Sequence, residues 1–269
     1  MKAACVVIPI HNKFPTDFEL ISFQQCFKIL GKHPIYIIAP EGIDLTEYIK
    51  CINNFQTIFI NAKWQSNVVN YNKLKLSRFF YNLFKEYKYL LTYELDAFVF
   101  KDELLDWCNK DYDYIGAPWF ENFTEASATS EMIGVGNSGF SLRKISIIDT
   151  LIINAGYKDL YTSPGGGWAF LKSLVIDPFV KYYSLLSENV VIQNQRDISE
   201  DLFLYYSAKK IIPDYRPAPI EEAINFSFEV NPSVLFQLNN FKLPFGCHAW
   251  WRYDVEFWKP HIRSFGYLL

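Results

Sequence analysis

Ala4 to Ile10 is an unbroken apolar run that gives way to the polar pair His11-Asn12. A short apolar run with polar residues at its end predicts a buried strand delivering a polar loop. Asp17 to Leu30 places apolar residues at helical spacing and halts at Gly31, which predicts a helix. Pro34 to Ala39 predicts a second buried strand, Leu45 to Ile52 a short helix, and Thr57 to Ile60 a third strand. Tyr71 to Phe84 predicts one amphipathic helix, and Tyr89 to Thr92 a fourth strand running into Tyr93-Glu94-Leu95-Asp96. Beyond residue 100 the alternation weakens. Asp113 to Trp119 predicts a short strand, Glu121 to Glu131 a loop, and Gly134 to Arg143 a glycine-rich turn leading into a strand. Ser163 to Gly167 predicts a flexible stretch, Glu200 to Ala208 a helix, Lys210 to Ile212 a strand, and Glu221-Glu222 the start of another helix.

Strand and helix alternating over the first ~100 residues is the pattern of an α/β sheet, mostly parallel, with helices on both faces. Ligands of such sheets sit at the carboxyl ends of strands. His11-Asn12 and Glu94-Leu95-Asp96 both fall there. No G-x-G-x-x-G follows the first strand and no G-x-x-x-x-G-K-S/T occurs, so neither dinucleotide nor P-loop binding carries its signature. No repeat and no Pro/Ser-rich linker divides the chain. The expectation is a single domain over 1–269, with a donor-binding first half at 1–100 continuous with an acceptor-binding second half at 101–269.

Composition narrows the function classes. Half of the 269 residues are hydrophobic, enough for a sizeable core. With 26 basic and 29 acidic side chains the net charge is −3, which disfavours nucleic acid as a partner. Five scattered cysteines, never in C-x-x-C spacing, argue against a disulfide framework or a cysteine zinc site and suit a reducing, cytoplasmic setting. No apolar run approaches the ~20 residues of a membrane helix. The aromatic-basic segment Trp258 to Arg263 is a candidate for peripheral membrane contact. Aromatics reach 18%, and the rings serve either a bulky core or a groove for sugars.

Four segments offer chemistry. Glu94 and Asp96 lie amid apolar residues, where carboxylates are costly unless paired or bound to a cation. In an extended segment they face one site, and their hard oxygens suit Mg²⁺ or Mn²⁺. A salt-bridged strand end is the plainer alternative. Gly136-Asn137-Ser138-Gly139 permits close backbone approach to a ligand or forms an ordinary hairpin. Ser199-Glu200-Asp201 opens a helix, with Ser199 as its N-cap, or supplies a general base. His248, between Gly246 and the Trp250-Trp251 pair, is a core histidine or a metal ligand.

Together these segments resemble the glycosyltransferases of the GT-A fold. More narrowly, they are similar to a largely bacterial family marked by a Tyr-rich helix, D-A-[FL], D-Y-I-G-A-P-W, G-N-G-G-F-S-L-R, an E-D pair and F-G-x-H-A-W. The matching segments are Tyr93 to Phe100, Asp113 to Trp119, Gly136 to Arg143, Glu200-Asp201 and Phe245 to Trp250, within residues 5–258. Ser138 departs from the pattern, which has glycine there.

The resemblance implies a metal-dependent transfer of sugar from a UDP- or GDP-sugar to a glycan or other hydroxyl acceptor. Asp96, Glu94 and His248 would hold Mn²⁺ or Mg²⁺. Pro9, Ile10, His11 and Asn12 would cradle the nucleotide, and Gly136 to Gly139 would flank the donor sugar. Lys75 and Arg78 would neutralise pyrophosphate, unless they are solvated helix charges. Asp201 would be the base of an inverting reaction with Glu200 beside it, and Trp119 and Trp250 would meet the acceptor. Surface-polysaccharide synthesis at the inner face of the membrane is the implied setting. A metal-dependent phosphoesterase and a non-catalytic carbohydrate-binding module remain as rivals, and the oligomeric state stays open.

Overall fold

The computed structural model describes residues 1–161 and 199–269; the expected flexible stretch at Ser163 to Gly167 lies outside them. A six-stranded, mostly parallel sheet flanked by helices forms the centre, in the order β3-β2-β1-β4-β9-β6. Its strands are β1 (Lys2–Pro9), β2 (Ile35–Pro40), β3 (Gln56–Ile60), β4 (Tyr87–Tyr93), β6 (Tyr114–Ile115) and β9 (Phe140–Lys144). The β1, β2, β3 and β4 pairings are parallel, and β9 runs antiparallel to β4 and β6.

Continuous apolar runs become central strands because both faces of the sheet are covered. Along β1, Val6 and Ile8 enter one core with Phe23 and Tyr48, while Cys5 and Val7 enter the other with Phe80 and Ile148. The first face is sealed by α1 (Asp17–Leu30), which ends where Gly31 predicts. Its start is set by Thr16, whose hydroxyl accepts from the Glu19 N–H while the Glu19 carboxylate accepts from the Thr16 N–H. Burying one ring such as Phe23 contributes roughly 1.5–3 kcal/mol. Short helices α2 (Thr46–Cys51), α3 (Val68–Lys75), α4 (Arg78–Asn82) and α5 (Leu104–Asn109) follow, then the long α6 (Ile145–Tyr161).

Three expectations need correction. Tyr71 to Phe84 is not one helix: Ser77 adopts extended angles and caps α4, accepting from the Phe80 N–H at 3.3 Å while donating to the Leu74 carbonyl. Asp113 to Trp119 is two strands, because after β6 the chain leaves the central sheet at Gly116-Ala117 and β7 (Pro118–Phe120) pairs with β8 (Met132–Val135). Lys210 to Ile212 is no strand. The helix begun at α7 (Glu200–Leu202) continues through a π-helical turn, Phe203–Ser207, into α8 (Ala208–Ile211), which is held against α6 by buried Ala208. Glu121 to Glu131 is a loop as expected, joining β7 to β8 with a 3₁₀ turn at Phe123–Glu125.

A third, aromatic core lies beside the sheet. It gathers β5 (Phe98–Val99), β10 (Ser227–Phe228) and β11 (Gly246–Cys247), with α9 (Ile220–Phe226), α10 (Pro232–Leu238) and α11 (Val255–Arg263) around them. α11 turns Trp258 and Ile262 fully inward. Trp258 of the aromatic-basic segment Trp258 to Arg263 is thus spent on packing, while Lys259, Pro260 and Arg263 stay at the surface. No helix among the described residues is long and apolar enough to cross a membrane, and all five cysteines are free.

Candidate active site

β1 and β4 are parallel neighbours, so Pro9 and Tyr93 end at the same edge of the sheet. The antiparallel register Tyr93↔Phe140 brings the Gly136–Gly139 loop to that edge as well. Glu94 to Ala97 is a turn rather than extended chain, closed by the Ala97 N–H donating to the Glu94 carbonyl at 2.9 Å. The two carboxylates converge through this turn, not through strand alternation. They open onto a cleft of about 480 Å³ that Pro9, His11, Asn67, Tyr71, Trp251 and Arg252 also line.

β11 delivers the third member. Its antiparallel pairing with β5 (Cys247↔Phe98) sets His248 beside the turn. Ala249 then takes a left-handed φ of 50°, uncommon for alanine, and the Trp250 N–H reaches the Asp96 carbonyl. His248 Nε2 lies 3.1 Å from Asp96 Oδ1 and 3.9 Å from Glu94 Oε2, while Nδ1 is 2.8 Å from Glu229 Oε1. Gly139 is required here: a Cβ would sit 2.1 Å from His248 Nε2.

Burial pushes the His248 imidazole down, but Asp96 and Glu229 outweigh it and hold its pKa well above the ordinary value. Burial pushes Asp96 and Glu94 up, yet His248 holds Asp96 low, and Lys75 with His248 hold Glu94 low.

Two hard carboxylates and an imidazole form a donor set suited to Mn²⁺ or Mg²⁺. One ligand atom from each of Glu94, Asp96 and His248 falls within 4.8 Å of the others, and no second such group occurs among the described residues. His248 Nε2 is buried with no aligned hydrogen-bond partner, as a ligand atom would be. Glu229 on Nδ1 is the carboxylate that commonly fixes a ligating imidazole.

Behind this trio runs a buried ionic network. Lys75 is fully enclosed, so the solvated-charge reading of it is wrong. Its Nζ donates to Glu94 Oε1 at 2.9 Å and to the Ser138 hydroxyl, lies 3.6 Å from Glu200 Oε2, and sits 3.9 Å from the Tyr71 ring centre. Tyr71 donates to the same Glu94 oxygen. Glu200 is also fully buried, 2.5 Å from Arg143, and accepts from Ser138. Burial holds its carboxyl above the ordinary range, against the pull of Arg143 and Lys75. Ser138, where the motif has glycine, is therefore a bridge between Lys75 and Glu200.

The other expected residues separate. Pro9 and His11 line the cleft; Ile10 is buried in the core, and Asn12 turns its amide onto the Phe14 backbone. Arg78 pairs with Asp149 of α6 at 2.8 Å, away from the cleft. Asn137 is buried, accepting from the Phe140 N–H. A Cβ at Gly136 would strike the Trp119 ring at 2.6 Å. Trp250 cannot meet an acceptor: it is wholly buried against Phe18 and Trp251, and its indole N–H donates to Ser22. The sequence reading missed Tyr71, Arg252 and Glu229. Tyr71 stands one helical turn before Lys75 and Arg252 four residues after His248, so spacing could have found both. Glu229 carries no local signal.

Asp201 and Trp119 share a second cleft of about 260 Å³ with Phe120, Phe123, Ser199 and Glu229. Ser199 stands at the N-cap of α7, but its hydroxyl donates to Asp201 Oδ1 at 2.5 Å, and the Leu202 N–H donates to the same oxygen. Trp119 is braced by Phe123, Tyr205 and a stacked Tyr206. Asn122 and Phe123 both take left-handed φ, 64° and 47°. Because His248 touches Asp96 on one side and Glu229 on the other, it stands between the two clefts.

Residues 54–248 match the family model described as "Protein of unknown function (DUF5672)". No curated protein sequence matches the chain. Solved structures with a similar chain path include the glycosyltransferase GlyE of Streptococcus pneumoniae, at 14% identity over 93% of this chain and 54% of that one, with a TM-score of 0.43. This chain spans about half of GlyE's length. Mouse xyloside xylosyltransferase 1 matches at 9% identity over 91% and 97% of the two chains, TM-score 0.45. The galactosyltransferase LgtC, solved with donor and acceptor sugar analogs, matches at 12% identity over 91% and 86%, TM-score 0.43.

Proposed function

The chain belongs to the DUF5672 family of proteins of unknown function, and from that starting point we propose that it is a metal-dependent glycosyltransferase acting on a nucleotide-sugar donor. The observation that carries the reading is the convergence of Glu94, Asp96 and His248 at the rim of the larger cleft, with Nε2 of His248 buried and unaligned. A divalent cation there would supply positive charge to the departing nucleoside diphosphate.

The chain's own residues do the rest. Lys75 and Tyr71 hold the Glu94 carboxylate in place, and Glu229 holds the His248 ring. Arg252 and His11 line the same cleft, where a diphosphate and its nucleoside would lie. Asp201, in the adjoining cleft beside Trp119, would take the proton from the acceptor hydroxyl as that oxygen attacks the anomeric carbon. Attack from the face opposite the leaving group inverts the anomeric centre. Glu200, enclosed with Arg143 and Lys75, positions α7 rather than touching substrate. Cytoplasmic assembly of surface polysaccharide is the biological setting proposed, on the motif resemblance.

The test is nucleoside diphosphate release from a panel of UDP- and GDP-sugars with Mn²⁺, for the natural chain and for Asp96→Ala. Release by the natural chain alone supports the proposal. Equal release by both removes the metal role of Asp96. Phosphate release from simple esters, without sugar transfer, would indicate a phosphoesterase instead.

A further inference from the structure

Both clefts are lined by carboxylates, but among the described residues only the larger one also has an arginine, and that difference identifies the acceptor's chemical class. The second cleft is walled by Trp119, Phe120 and Phe123, with Phe123 40% exposed at its mouth. Two carboxylates, Asp201 and Glu229, reach it, and no lysine or arginine lines it among the described residues. The larger cleft has Arg252 and the candidate cation site. Glu229 is already tied to His248 through Nδ1. Asp201 Oδ1 is occupied by Ser199 and the Leu202 N–H, which leaves Oδ2 for a ligand.

We propose that this second cleft binds a sugar ring bearing no negative charge, neutral or amino-substituted, and rejects uronic acids, sialic acids and sugar phosphates. Flat aromatic faces stack on the C–H face of a pyranose. A ligand carboxylate or phosphate here would meet the Asp201 and Glu229 carboxylates with no lysine or arginine among the described lining residues to offset it, in a partly desolvated site where like charges repel strongly. The proposal rests on the glycosyltransferase reading for calling this ring the acceptor, but its binding claim needs no donor.

The experiment is therefore run without nucleotide sugar. Methyl β-glucoside and methyl β-glucuronide differ only at the ring's exocyclic carbon. Their binding is compared by saturation-transfer NMR, with glucosamine as a third probe. The glucoside and glucosamine are expected to bind at least about tenfold more tightly than the glucuronide. Phe123→Ala should weaken the glucoside by roughly two- to tenfold through loss of stacking. Thr124→Lys places a cation on the cleft lining at an exposed position and should shift the glucoside-to-glucuronide ratio toward the acid. Tighter glucuronide binding, no binding of either the glucoside or glucosamine, or an unchanged ratio in Thr124→Lys would each overturn the proposal. Selective neutral binding without any nucleotide release would leave this inference standing and remove the glycosyltransferase reading.

Discussion

The two clefts meet at His248 but are built by opposite means. The larger one is fixed by charge: Glu94 is held by Lys75 and Tyr71, Asp96 by His248, and behind them Lys75 and Arg143 balance Glu94 and Glu200. The smaller one is fixed by rings, with Trp119 braced by Phe123, Tyr205 and Tyr206, and no lysine or arginine stands among its described lining residues. A site for a polyanionic leaving group needs rigid compensating charge. A site for a polyhydroxyl ring needs shape and one base. The contrast teaches that the same residue type, a carboxylate, is assigned its task by its neighbours.

The sharpest way to break the comparison is Asp201→Asn. Loss of a general base should lower turnover by about 10²–10⁴-fold while donor binding is kept. Unaltered turnover would leave the smaller cleft without its chemical role. Next is Lys75→Met. Removing one partner of a buried ionic network costs about 3–5 kcal/mol, so urea denaturation should show that loss, whereas Lys13→Met on the exposed first loop should show almost none. Equal stability in the two variants would mean that the network does not fix the larger cleft. Glu229→Gln is milder: metal affinity should fall by about 10–100-fold, as for other partners of ligating histidines. Mn²⁺ titration followed by electron paramagnetic resonance reads it directly.

The smallest effect is in pH. Asp96 and Glu229 raise the His248 pKa above its ordinary 6.5, so the metal-free imidazole carries a proton that Mn²⁺ must displace. Affinity should therefore rise with pH, by up to about tenfold per unit below the folded pKa. Metal-free stability runs the other way. A raised imidazole contributes stability that is complete below 6.5 and is lost as pH rises through the folded pKa. Melting curves without metal and Mn²⁺ titrations over the same buffers should slope in opposite directions, and parallel slopes would contradict the pairing.

Much of the first half was legible because its strands are buried on both faces and its first helix ends in strong punctuation. The strands and the site's edge follow from those runs, whereas the order of the strands does not. Glu94 and Asp96 were legible for a related reason, being carboxylates in apolar company. The helix break was missed because Ser77 caps α4 from within an apolar pattern, and a cap is visible only when its hydroxyl finds an N–H. Trp250 and Trp251 are adjacent and chemically identical in sequence, yet one is sealed in the aromatic core and the other lines the cleft. The left-handed turn at Ala249 and the bond from the Trp250 indole N–H to Ser22 tell them apart, while Phe18 packs against both. Glu229 was illegible because its partner lies 19 residues on, across β10 and β11.

The central claim is that the Glu94–Asp96–His248 trio binds a divalent cation through which a nucleoside diphosphate is held. Isothermal titration of UDP and GDP into the protein, with and without Mn²⁺, repeated on Asp96→Ala, tests it most directly. The account predicts Mn²⁺-dependent binding of at least one diphosphate that vanishes in the variant. Binding of the same strength without Mn²⁺, or undiminished binding by Asp96→Ala, would contradict it.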